Sequence, residues 1–391
     1  MITLEALRPI HPRLIEWRRD FHRHPELGME EYRTAKVIAE HLREWGYEVR
    51  EGIAATGVIG LLRNGDGPIV MVRADMDALP IQEANEHDYV STIPGKMHAC
   101  GHDAHMAIGL GVAEWMAEHR DAWHGTLMML FQPGEEGFNG AAKMIAAGAL
   151  EHPHPDLFLA LHVWNEMEVG QVSAAVGPVM AAADAWSAHI IGKGGHAATP
   201  HESIDPVYIA ALTVEALQSI VSRNVDPMKT AVLTVGSIHA GTAFNIIPNE
   251  AELKGTVRTF EETVRETVMG RLKTIVEGTA WMMGGVATLE VAEGTPAVVN
   301  DEKVSHVVWK AITDIVGEQG LRTDVRTMGS EDASFFMREV PGCYFFVGSS
   351  PVDGEKVPHH HPRFDIDEEA LIIGAAVMID ALLRLFGGEA A

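Results

Sequence analysis

Three short apolar runs in this chain each end on side chains that bind metals or move protons, and that pattern narrows its fold more than anything else. Residues 69–72 lead to Asp75 and Asp77, 127–131 to Glu135 and Glu136, and 157–161 to His162. Apolar runs this short read as buried strands. A fourth strand is expected at 57–62, and amphipathic helices fit at 104–118 and 140–147. Alternating strands and helices predict an α/β fold with a largely parallel or mixed sheet. Ligands in such sheets bind beyond the carboxyl ends of the strands, which is where these acids and imidazoles fall. Upstream, residues 10–46 read as helices broken at HPELG by Pro25 and Gly28.

Residues 184–294 have another rhythm. Strands are expected at 185–191, 231–239, 251–260 and 287–292, with helices at 206–223 and 261–283. The order β-α-β-β-α-β is that of ferredoxin-like modules. If His360 joins the ligands upstream of residue 165, this module is an insertion, and 1–183 and 295–391 are two parts of one catalytic domain.

A chain of 391 residues with 47% hydrophobic content can bury one or two sizeable cores. Its formal net charge of -25 repels phosphate backbones and anionic lipid surfaces, which argues against nucleic-acid and membrane partners. The two cysteines, Cys100 and Cys343, lie far apart in dissimilar contexts, so a disulfide framework is not expected and a reducing compartment suits the chain. The first residues lack the apolar stretch of a secretory signal, and no run is long enough to span a bilayer. The expectation is a soluble cytoplasmic protein.

The segment MHACGHDAHM gathers Cys100, His102 and His105, with Gly101 freeing the backbone between the first two. A thiolate among imidazoles suits zinc, manganese, cobalt or nickel rather than calcium or magnesium. A buried Cys beside surface histidines is the plain alternative, and His98 and His105 read as supporting residues rather than ligands. In FQPGEEG, Glu135 and Glu136 are adjacent in a glycine-flanked turn. One can bind metal while the other acts as the general base that amide hydrolysis needs. Asp75 and Asp77 of RADMDALP are spaced so that one orients a metal-bound imidazole, or caps a helix. His359, His360 and His361 form a run that is either a ligand source or a solvated loop.

In order along the chain, RRDFHRHPELGMEE, RADMDALP, MHACGHDAH, FQPGEEG, LHVW, GKGGHAATPH, NIIPNEAELKGTVRTF, MGSEDASFF and HHHPRFD resemble the amidohydrolase branch of the metal-dependent aminoacylase and carboxypeptidase family. That branch includes hippurate hydrolases, N-acetyl amino acid deacetylases and auxin-conjugate hydrolases. The resemblance implies a mixed-sheet di-metal hydrolase domain carrying an inserted ferredoxin-like dimerisation domain. It also implies two divalent metal ions per subunit and a homodimer that acts on small N-acyl amino acids. By this similarity Cys100 is the ligand shared by both metals, His102, Glu136, His162 and His360 complete the sites, and Glu135 is the general base. Asp77 joins the catalytic group. The wider family has His-x-Asp where this chain has Asp75-Met76-Asp77, and the Cys-Gly-His step fits as the replacement for that lost histidine. His196 is implied as an oxyanion-stabilising group reaching into the partner subunit, and Asn245 and Arg258 as groups for the substrate's oxyanion or carboxylate. Ser330, Glu331 and Asp332 are expected to line or brace the site. A dipeptidase or aminopeptidase on the same scaffold, and a silent metal-binding homologue, remain open alternatives.

Overall fold

The computed structural model describes residues 2–352 and 354–389. It divides into two compact units: the chain up to Val179 with Val299–Arg326 and everything from Asp332 onward, and Met180–Val298 with Thr327–Glu331.

The first unit is built on an eight-stranded mixed sheet. Its strand order is Glu48–Ile53, Gly57–Asn64, Gly125–Gln132, Ile69–Asp75, Leu157–Glu168, Gly342–Ser350, Val172–Ser173 and Leu321–Arg322. The middle four run parallel, and an antiparallel hairpin extends one edge. Strand Glu48–Ile53 was not anticipated, because EVREGI is charged on both faces and most of it is solvent-accessible. The strand expected at 157–161 continues to Glu168. It pairs with Ile69–Asp75 only through Ala160, whereas its ladder with Gly342–Ser350 continues past His162. His162 therefore lies where one neighbouring strand has ended, which opens a side of the sheet to ligands.

Helix His102–Glu118 is buried almost all round and packs against the sheet and against helices His11–Arg23 and Glu369–Phe386. A helix apolar on every face has to be interior. Its sequence allows this through small residues: a Cβ at Gly111 would collide with Leu14. Among the described residues no helix is long and apolar enough to cross a membrane.

The second unit is a four-stranded antiparallel sheet in the order Ala231–Ala240, Glu250–Thr259, Ala182–Ile191, Val286–Thr295. Helices Pro206–Ser219 and Glu262–Met282 pack on it. Alternating burial along Ala182–Ile191 gives one face of the sheet to a core that includes Trp186, Ala188, Ile190, Leu253 and Val268. Chain order and sheet order together are ferredoxin-like.

Candidate metal centre

Gly101 separates the thiol from the first imidazole. Its φ of +90° turns the backbone so that Cys100 and His102 converge, and a Cβ there would strike Val163. The same contact packs this turn against the strand that carries His162. Cys100 Sγ stands 3.5 Å from His162 Nε2.

Each of these imidazoles gives its Nδ1 proton to a main-chain carbonyl, His102 to Asp77 at 2.8 Å and His162 to Val163 at 2.6 Å. Nε2 of each ring is thereby the atom left to meet a ligand, the arrangement that metal-binding histidines adopt. Burial opposes a charge on His102, but Asp75 and the Cys100 sulfur outweigh it and hold this ring well above its ordinary pKa, so a cation there would displace a proton. His102 Nε2 is buried and has no hydrogen-bond partner. A buried, unpaired imidazole nitrogen is costly unless a ligand satisfies it.

Glu135 and Glu136 follow Gly134, whose φ is +59° and whose N–H is held by the buried Glu31 carboxylate at 2.8 Å. The Glu136 N–H donates to Asp77 Oδ2 at 2.9 Å, so Asp77 fixes both the His102 ring and the Glu136 backbone. His360 Nε2 lies 3.1 Å from Glu136 Oε1. The His360 backbone has a φ of +62° and donates to the Ala99 carbonyl at 2.8 Å. A left-handed histidine is strained, and such strain persists only where surrounding contacts impose it. Of its neighbours, His359 accepts from the Asn165 N–H at 3.3 Å, and His361 closes its own turn by accepting from the Arg363 N–H.

The donor atoms form overlapping triplets. Those of Cys100, His102 and His162 lie within 4.8 Å of one another, as do those of Cys100, Glu136 and His360, and of His102, Glu135 and Glu136. The sulfur belongs to two triplets, so it can be shared between two ions. Burial pushes the Cys100 thiol well above its ordinary pKa, and the Glu136 and Glu135 carboxylates push it further. A cation is what turns such a thiol into a thiolate. Burial and the His105 and His359 rings hold His162 well below the usual imidazole range, which keeps it neutral and able to ligate. The residues fit a pair of divalent ions of the borderline class.

Beneath this layer lies a buried network in which Asp75, His105 and Asp332, expected as supports, are joined by Arg73 and Gln132, which the sequence did not single out. Arg73 donates to Asp75 at 2.7 Å, Gln132 at 2.8 Å and Asp332 at 3.4 Å. Asp75 accepts from His105 Nδ1 at 2.6 Å, and His105 Nε2 accepts the Val163 N–H at 2.9 Å, next to His162. Burial opposes the charge on Asp75, but Arg73, His102 and His105 outweigh it and hold the carboxyl well below its ordinary pKa. Asp332 takes Gln132 Nε2 at 2.6 Å and the Ala141 N–H at 3.0 Å, and its own N–H reaches Glu135 Oε1 at 3.4 Å. The arginine in an otherwise apolar strand, IVMVRAD, was the available signal.

In the second unit, the short strand Gly195–His196 pairs with Ile246–Ile247, which brings His196 beside the Asn245 segment. The Asn245 carbonyl accepts the Ala197 N–H at 3.2 Å. His196 Nδ1 accepts the Ala198 N–H at 3.0 Å, which puts the ring proton on Nε2 of this exposed side chain. Arg258 sits apart, on strand Glu250–Thr259 opposite Ala183 and Val232, with Nη1 on the Val257 carbonyl. Ser330 and Glu331 belong to this unit and Asp332 to the first.

Comparison with known proteins agrees with the geometry. Residues 71–384 match the model of peptidase family M20/M25/M40. The chain is 38% identical to the IAA-amino acid hydrolase ILR1-like 4 of Arabidopsis thaliana, over 96% of this chain and 86% of that protein. It is 37% identical to the N-acetylcysteine deacetylase of Bacillus subtilis, over 95% and 96% of the two chains. The crystal structure of YXEP from Bacillus subtilis, described as a dinuclear metal binding peptidase, superposes with a TM-score of 0.85 at 32% identity, covering 97% of this chain and 99% of that one. A match over most of the chain, and a centre that fits paired cations, place this protein in peptidase family M20/M25/M40 as a metal-dependent amidohydrolase.

Proposed function

We propose that the protein hydrolyses the amide bond of small N-acyl amino acids, releasing a carboxylate and the free amino acid. The observation that carries this is the shared Cys100 sulfur between two donor triplets with Glu135 beside them. The similarity to an N-acetylcysteine deacetylase and an IAA-amino acid hydrolase supports the substrate class.

In this reading Cys100, His102 and His162 hold one ion, and Cys100, Glu136 and His360 the other, drawn from manganese, zinc, cobalt or nickel. When bound, the ions lower the pKa of water and draw electrons from the scissile carbonyl. Glu135 takes the proton of the attacking water and returns it to the leaving amine. The Asp332 N–H holds Glu135 Oε1 and sets the direction from which it acts. Asp77 keeps His102 and Glu136 in register.

The protein works as a homodimer in this proposal. Phe244 and Ile246, close to His196, are 100% and 59% exposed, and Trp281, Met282 and Val286 of the same unit are also open to solvent. Large apolar side chains in such numbers suit burial against another copy. His196, with its proton on Nε2, would donate to the developing oxyanion of the second copy's substrate. Asn245 and Arg258 would grip its oxyanion or carboxylate.

The test is Glu135→Gln with metal content measured alongside turnover. We expect kcat to fall by about 10²–10⁴-fold with both ions retained; substantial activity in this variant would sink the mechanism. N-acetyl and N-benzoyl amino acids should be cleaved better than free-amine dipeptides under defined Mn, Zn, Co and Ni. The reverse preference would make the protein a peptidase.

A further inference from the structure

Residues 81–96 contain no helix or strand, yet this stretch leads to Cys100 and has to place it. Glu83 is its hub. Oε2 accepts the Ser91 N–H at 2.7 Å, and Oε1 accepts Asn85 Nδ2 at 3.1 Å. His22 Nε2, from helix His11–Arg23, is 3.2 Å from the same Oε1, and His87 Nε2 is 3.5 Å from it. The His22 side chain is fully buried, Glu83 is 3% exposed and His87 19%.

We propose that His22, Glu83 and His87 form a third metal site, for a borderline divalent cation such as Zn²⁺, which staples this irregular segment to helix His11–Arg23. Their donor atoms lie within 4.8 Å of one another. Separations of 3.2 and 3.5 Å match the edges, about 3.3 Å, of a tetrahedron with zinc bonds near 2.0–2.1 Å. His22 Nδ1 is bonded to Asp103 Oδ2 at 2.8 Å, a carboxylate–histidine pair that orients Nε2 outward as a ligand. Asp365 Oδ2, which accepts from the Tyr89 hydroxyl at 2.9 Å, lies 4.0 Å from His87 Nε2.

Proton sharing alone accounts for part of this cluster. A protonated His22 between Asp103 and Glu83 partners one oxygen of each. It leaves His87 with both ring nitrogens shut off from water and without a hydrogen-bond partner. The His87 ring is held in place by stacking on Tyr89, with centroids 3.6 Å apart. A cation gives His87 Nε2 a partner and joins the 81–96 stretch to helix His11–Arg23 at one point. None of its ligands belongs to the centre around Cys100.

The experiment is equilibrium dialysis of the metal-free full chain against Zn²⁺, with bound metal counted by mass spectrometry. Wild type should hold three ions per chain and His87→Ala two. His87→Phe keeps a ring on Tyr89 and removes both nitrogens, so it should also hold two even if the alanine variant folds poorly. The third equivalent should raise the melting temperature of wild type and not of the Phe variant. Saturation of wild type at two ions, or three ions in His87→Phe, overturns the proposal. Cys100→Ser separates the two readings: it should lower the count through the catalytic centre and leave the His87-dependent ion bound.

Discussion

His102 and His196 are both implied in the same chemistry, yet the two units hold them in opposite ways. His102 is 1% exposed, its ring is locked by the Asp77 carbonyl, and its neighbours rest on a buried arginine. His196 is exposed and steadied by its own tight turn through the Ala198 N–H. A metal centre needs donor atoms fixed before the ion arrives, because an ion bound loosely cannot direct chemistry. A group that meets its substrate from another subunit needs access instead. Substitutions of the buried ligands and of the groups that lock them should therefore disturb metal binding and stability together, whereas a substitution at exposed His196 should affect turnover alone.

The sharpest way to break this contrast is at the shared sulfur. Cys100→Ser should lose most bound metal and with it nearly all activity, because both donor triplets lose a member; a variant retaining two tightly held ions and activity would show that the sulfur is not shared. Next in size is Arg73→Met, which leaves the Asp75 and Asp332 carboxylates buried without their guanidinium. It should cost about 3–5 kcal/mol in urea unfolding, and Arg73→Lys should recover only part of that. His196→Ala should lower kcat by about 10²–10³-fold and shift stability by no more than about 0.5 kcal/mol. A large stability loss there would erase the distinction between the units.

A change of pH alone tests the buried side of the contrast through His22. Burial lowers its pKa, but Asp103 and Glu83 outweigh burial and raise it to about 9. A raised imidazole stabilises the fold fully below its unfolded value near 6.5, and that contribution disappears as pH rises through 9. Metal-free protein should thus lose about 3 kcal/mol between pH 6.5 and 10, a slope that Asp103→Asn should flatten.

The sequence made the outline of both units legible for different reasons. In the first, buried parallel strands appear as unbroken apolar runs, and the groups ending them pointed to Glu136 and His162. In the second, alternating burial and two long helices spelled out β-α-β-β-α-β. Cys100 and His102 stood out by chemistry, and His360 by resemblance alone. What stayed hidden was support that acts across large sequence separations. Glu31 holds Gly134 from 103 residues away, and Asp332 holds Gln132 from 200. No local pattern encodes such pairs: Asp332 was expected to brace the site, but its partner Gln132 and the Glu31–Gly134 contact leave no mark in their own segments. Strand Glu48–Ile53 was missed for the opposite reason: at the edge of the sheet its side chains face water, so no apolar run marks it.

The placement of His360 bears on how the protein is made. Four of the five proposed donors have left the ribosome once His162 has, but the fifth comes about two hundred residues later. At typical elongation rates that is a delay of about 10–40 s. During it, the nascent chain carries a thiol, two imidazoles and a carboxylate with nothing to close the second triplet. An ion captured then would meet an open, exchangeable cup. The identity of any metal these donors hold would then depend on which cation is abundant when translation ends as well as on donor chemistry.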